Sequence, residues 1–154
     1  MNLEAVSQIT FSEFLSVPAT RTIDRVSAKS PFGALYAPRA AAVLCTAYLA
    51  AHLEGLCIEE LRRYVAEEDL ILGAALNVRQ CNPARAGEAI EVRGVVIGIG
   101  DHEATFSVEA RTGQHIVADG EIRLVAVSRD AFMRGLAALR AAPHDARQAR
   151  VALA

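Results

Sequence analysis

Along the chain, the spacing of apolar positions changes character once, after Asp69. Beyond that point four long stretches read as strands: Leu70 to Cys81, Ala89 to Ile99, Glu103 to Arg111 and His115 to Val127. Turn residues separate them, at Asn82-Pro83 through Gly87, at Gly98 through His102, and at Thr112-Gly113. Links this short between strands this long predict an antiparallel meander. In the third stretch Ala104, Phe106, Val108 and Ala110 fall on one face, and Glu103, Thr105, Ser107 and Glu109 on the other. That is the alternation of a sheet wetted on one side only.

The part before Asp69 follows other rules. Ile9, Phe11, Ile23 and Val26 alternate weakly around Val17-Pro18 and predict one or two short strands. Ser30-Pro31-Phe32-Gly33 is a turn signal, followed by Tyr36 and by Pro38, a residue suited to the first turn of a helix because its missing N–H would be orphaned there. From Arg39 to Leu53 nearly every residue is Ala, Val, Leu, Cys, Thr or Tyr, which predicts a helix from near Pro38, apolar almost all round and buried. Gly55 is expected to stop it, and Ile58 to Val65 to form a short second helix with Glu59, Glu60, Arg62 and Arg63 in water. Arg129 to Leu139 predicts a closing helix with Ser128 as N-cap. The order is α+β: a long central helix wrapped by a curved antiparallel β-sheet, in a single domain over 1–140 with 141–154 as a tail that can fray.

Charge and composition narrow the function classes. Sixteen basic and 18 acidic residues give a net charge of -2, with no basic patch to hold a nucleic acid. The start, MNLEAVSQITFSEF, lacks the basic and apolar regions of a secretory signal, and the apolar run from Ala40 to Leu53 is shorter than the roughly 20 residues of a membrane span, so a cytoplasmic protein is expected. Cys45, Cys57 and Cys81 are odd in number, lack CxxC spacing and sit in apolar stretches, which predicts reduced, buried thiols and no nucleophile among them. The four histidines are scattered, so neither a metal site nor a cofactor is expected. The run GVVIGIG from Gly94 to Gly100 superficially suggests a phosphate loop, but no helix pattern follows it, and a twisted strand with a bulge accounts for it.

Two polar side chains interrupt apolar surfaces. In a regular strand Leu70, Leu72, Ala74, Leu76, Val78 and Gln80 share a face, so Gln80 ends an apolar row directed at the helix. Thr46 lies inside the apolar helix, where a hydroxyl commonly bonds to a carbonyl one turn earlier. A buried amide or hydroxyl requires a partner, from the protein or from a ligand.

Val17-Pro18 followed by Arg21-Thr22-Ile23, the aromatic loop through Tyr36, the small-residue helix, and Gly73-Ala74-Ala75 leading through Pro83 to Gly87 together resemble the hotdog-fold acyl-CoA thioesterases. Among them the chain is most similar to the fluoroacetyl-CoA thioesterase-like family, over Phe11 to Val127. The resemblance implies a hotdog-like domain that forms a homodimer, with the ligand site at the helix start near the dimer interface. It also implies a hydroxyl residue just before the helix, an acid within the helix and a histidine on the following strand. Matched by spacing, those places hold Pro38, Thr46 and Gln80, none of which titrates as the pattern requires. Glu54, eight residues beyond Thr46 and roughly 80° around the helix, is not expected to replace the acid. The resemblance places Thr46 and Gln80 at the reacting group and Tyr36, Pro38, Cys45 and Asn82 around the substrate. Two functions follow as expectations. One is an enzyme on an acyl thioester, either an acyl-CoA or an acyl-carrier protein; the other is a non-hydrolytic module binding an acyl-CoA or other apolar small molecule.

Overall fold

The computed structural model describes residues 3–16, 43–85 and 87–141. Within them the order is α1 (Leu3–Val6), β1 (Thr10–Ser16), α2 (Thr46–Arg62), β2 (Asp69–Gln80), β3 (Ala89–Ile99), β4 (Glu103–Thr112), β5 (His115–Ser128) and α3 (Arg129–Ala141). The five strands make one antiparallel sheet in the order β1-β3-β4-β5-β2, with β1 and β2 at its edges. The four predicted strands are thus present within a residue of their expected ends.

Sheet and helix meet through alternate side chains. On β4, Ala104, Phe106, Val108 and Ala110 are buried, as the alternation predicts, and Phe106 is fully so. Ile90 and Val92 of β3, Ile122 and Leu124 of β5, and Leu49, Leu53, Cys57 and Leu61 of α2 complete that core. The opposite face is charged: Arg123 pairs with Glu103 at 3.5 Å, Arg93 with Glu91 at 2.7 Å and Arg79 with Asp119 at 3.1 Å. The glycine-rich run is strand β3, bulged between Val96 and Gly98, as expected. Phe11 lies against Gly94, where an added Cβ would strike its ring. At the β4–β5 hairpin Gly113 has φ 55°, a left-handed value that suits glycine in a two-residue turn.

The helices depart from expectation. Residues 43–45 are not helical: Val43 forms a bridge with Arg85, Cys45 is extended (φ -72°, ψ 127°), and α2 begins at Thr46. Tyr36 and Pro38, with the proposed strand around Ile23, lie outside the described residues. Gly55 does not stop the helix, because burial of Leu53, Leu56 and Cys57 on the sheet holds both sides of it in one helix. Ile58 to Arg62 continue α2 instead of forming a separate helix, and Arg62 is only partly exposed. Its guanidinium donates to the carbonyls of Ala66 (3.3 Å) and Asp69 (2.9 Å), tying the helix end to the start of β2. The closing helix forms with the predicted cap, the Ala131 N–H donating to Ser128 Oγ at 3.5 Å.

Strand β2 carries the other correction. Its register with β5 shifts between Gly73 and Ala75, so Ala74 is an extra residue and the side-chain phase reverses there. Ile71 and Gly73, opposite Ala126 and Leu124, point inward before the bulge; Leu76, Val78 and Gln80, opposite Ile122, Gly120 and Ala118, do so after it. Leu70 and Leu72 therefore do not share a face with Gln80. No helix among the described residues is long and apolar enough to cross a membrane.

Candidate functional site

The start of α2 is fixed by backbone pairing before any side chain is considered. The Leu44 N–H donates to the Ala84 carbonyl at 2.8 Å, and beside it Val43 bridges Arg85. The N–H groups of Cys81 and Asn82 both donate to the Val117 carbonyl, at 2.8 and 3.2 Å. These bonds hold the first turn of α2 against the end of β2. Thr46 and Gln80, 34 residues apart in sequence, consequently meet: Thr46 Oγ1 donates to Gln80 Oε1 at 2.6 Å.

Around that bond the polar groups are ordered. Gln80 Nε2 donates to the carbonyls of Leu44 (3.3 Å) and Asn82 (3.5 Å). Asn82 Nδ2 donates to the Ile116 carbonyl at 2.7 Å. Cys45 is buried beside Thr46, and its carbonyl accepts the Leu49 N–H at 3.1 Å. Its side chain makes no cap to the helix, and like every helix α2 begins with N–H groups that lack an intrahelical partner. Of the six expected site residues, Thr46, Gln80, Cys45 and Asn82 are thus neighbours, and Tyr36 and Pro38 lie outside the described residues. Thr46 differs from expectation in one respect. It is the first residue of α2 and exposed, and its hydroxyl bonds across to Gln80, not back along the helix.

The residue at the head of α2 is Thr46, and Glu54, eight residues on, is an acid within the same helix. Glu54 lies over β2 where Gly73 leaves space, since a Cβ on Gly73 would strike its carboxylate. The sequence predicts the helix start eight residues earlier, near Pro38, and the missing side chain at Gly73 is what gives Glu54 its room over the strand.

The thiols differ among themselves. Cys57, buried in the core, has its pKa pushed up from 9.0 to about 12, by burial first and by the negative charge of Glu54 second, so it is inert at neutral pH. None of the three is in a disulfide, but Cys81 is exposed, against expectation, because it lies just past the strand end with its Sγ 3.7 Å from Asp119 Oδ2. His52 stacks on Tyr48 with centroids 6.1 Å apart. Among the described residues no group of three or more metal-ligating side chains occurs.

A helix packed on an antiparallel sheet, with a polar cluster where the helix starts, defines the hotdog class of thioesterase-like proteins, and known proteins agree. The family model described as fluoroacetyl-CoA-specific thioesterase matches residues 29–130 of the 154, so the chain belongs to that family. No curated protein matches it by sequence. It is similar in structure to a phenylalanine-to-alanine variant of the fluoroacetyl-CoA-specific thioesterase FlK, crystallised with fluoroacetate and CoA. There the TM-score is 0.70 at 19% identity, over 80% of this chain and 96% of that one. A hot-dog-like protein from Thermanaerovibrio acidaminovorans gives 0.73 at 19% identity, over 90% and 96%. A thioesterase superfamily member from Thermus thermophilus gives 0.71 at 14% identity, over 86% and 91%. At such identities these likenesses establish the hotdog fold.

Proposed function

We propose that the protein acts on an acyl thioester, carried by CoA or by a carrier protein, at the first turn of α2. The observation carrying this is the 2.6 Å bond between Thr46 and Gln80 at a helix start, in a chain of a thioesterase family. The first-turn amides offer donors to the thioester carbonyl and to the oxyanion that water attack creates on it. Thr46, Gln80, Cys45 and Asn82 line that position, and Glu54 supplies the carboxylate base that a glutamine cannot be.

Within one chain Glu54 is eight residues from Thr46, about 12 Å along the helix and out of reach. A homodimer resolves this. β2 is a sheet edge, and Leu76 in its middle is 43% exposed although it points to the inner face. Two copies joined antiparallel along β2 about Leu76 set Gln80 of one beside Ile71 to Gly73 of the other, which brings the partner subunit's Glu54 towards the Thr46–Gln80 pair. Three cysteines without a disulfide fit a cytoplasmic location.

The test is release of CoA from a panel of acyl-CoAs, read from pH 6 to 8. Glu54→Gln is expected to lower kcat about 100-fold or more, and Thr46→Ala and Gln80→Ala to lower kcat/KM about 10-fold. Mixing Glu54→Gln with Thr46→Ala subunits raises the rate above the mean of the two variants if the site is shared. Wild-type rates in all three variants, or a monomer by light scattering at all concentrations, overturn the corresponding part. A non-hydrolytic binder is the second reading, favoured by one observation: both ends of the Gln80 amide are committed to protein groups, so the residue moves no proton. An acyl species retained in native mass spectrometry, with no CoA released, selects it.

A further inference from the structure

The hydrogen-bond polarity at the start of α2 specifies what kind of acyl group the site takes. Gln80 Nε2 faces two carbonyl oxygens, those of Leu44 and Asn82, and can only donate to them. Reversing the amide would set Oε1 against both carbonyls with no donor between them, a repulsive arrangement. Its carbonyl end is therefore held towards Thr46, and the Thr46 hydroxyl proton is committed to it at 2.6 Å. What Thr46 can still offer a ligand is its oxygen lone pairs. Asn82 differs: one N–H of its Nδ2 donates to the Ile116 carbonyl, which leaves its second N–H and its Oδ1 uncommitted among the described residues, so Asn82 can serve as donor or acceptor. Thr46 and Asn82 are both exposed.

The Thr46 hydroxyl proton and both N–H groups of Gln80 are thus used within the protein, and Thr46 is left as an acceptor. Backbone donors lie beside it, since the N–H groups of Thr46 and Ala47 at the head of α2 have no intrahelical acceptor. A ligand satisfies both when it carries an acceptor for the helix amides and a donor for Thr46. We infer that the preferred substrate is a hydroxyacyl thioester, its carbonyl on the α2 amides and its 2- or 3-hydroxyl donating to Thr46 Oγ1. An oxo group in the same place would meet an acceptor and lose its water without replacement. Thr46 is the specificity-determining residue in this arrangement, and the inference rests on the acyl-thioester function proposed above.

Binding is measured by calorimetry with carba(dethia) CoA analogues, in which a methylene replaces the thioester sulfur so that nothing hydrolyses. The four analogues carry butyryl, 3-oxobutyryl, 2-hydroxybutyryl and 3-hydroxybutyryl groups, similar in size. At least one hydroxy analogue is expected to bind on the order of 10-fold more tightly than the butyryl and oxo analogues. The preference should disappear in Thr46→Val, which keeps the shape and removes the acceptor, and return in Thr46→Ser. Equal binding of all four, tightest binding of the oxo analogue, or a preference that survives Thr46→Val overturns the inference and leaves acyl-thioester binding standing. Failure of all four to bind overturns both.

Discussion

The two sides of the sheet's helix-bearing face are built from similar residues and behave differently. Where β3, β4 and β5 lie next to one another, the inward positions Ile90, Val92, Phe106, Ile122 and Leu124 are fully buried and unbroken in phase. Along β2, at the edge, the inward row is interrupted by a bulge, opens at Gly73 to admit Glu54, leaves Leu76 partly in water and ends on Gln80. The central strands keep their alternation through the buried rows, and their register shifts fall outside those rows, between Val96 and Gly98 and between Ala110 and Arg111. The edge strand departs from alternation in the middle of its inward row, and that row ends on the polar cluster at the start of α2.

The difference can be broken most severely from the centre. Phe106→Ala empties a fully buried position of β4 and is expected to cost about 3–5 kcal/mol, measured by denaturant unfolding. A loss below about 1 kcal/mol would mean that the central strands are not the mechanical core.

Two glycines then separate the regions. A Cβ on Gly120 would strike the carbonyl oxygen of Asn77 and the Cα of Val78, backbone that cannot move aside. Gly120→Ala should therefore cost about 1–3 kcal/mol. A Cβ on Gly73 meets only the carboxylate end of Glu54, which can swing away. Gly73→Ala should leave stability within about 1 kcal/mol of wild type and lower thioester turnover by displacing that carboxylate. Equal destabilisation by both substitutions would erase the distinction.

The smallest effect concerns pH. Folded Cys57 keeps its proton to about pH 12, against 9.0 ordinarily, so its contribution to stability is complete below pH 9 and is lost as the pH rises from there towards 12. The denaturant midpoint should fall between pH 8.5 and 10.5, and less steeply in Cys57→Ala. Alkylation followed by mass spectrometry at pH 8 should modify exposed Cys81 and spare Cys57. Identical pH slopes in the two proteins would show that Glu54 and burial do not hold the thiol as described.

What the sequence by itself determined is the local part of this protein. Alternation in Glu103 to Arg111, turn residues at Gly113, the Ser128 cap and the meander all follow from the two-residue period and from backbone preferences acting over a few residues. The pair of Thr46 and Gln80 was also legible, because a polar residue in an apolar row requires a partner. Tertiary structure decided the rest. Composition made residues 39–45 look helical, but the pairing of Val43 and Leu44 with Arg85 and Ala84 holds the last of them extended and moves the helix start to Thr46. Gly55 reads as a stop until burial on both sides carries the helix through it. The bulge at Ala74 leaves no mark in an apolar stretch, since LILGAAL suits either phase equally; only the register against β5 selects one. Those three contacts, each between residues distant in the chain, set where α2 begins and which residues of β2 face it. Local preferences fix the elements, whereas their phase and ends are fixed by partners that no short window of sequence contains.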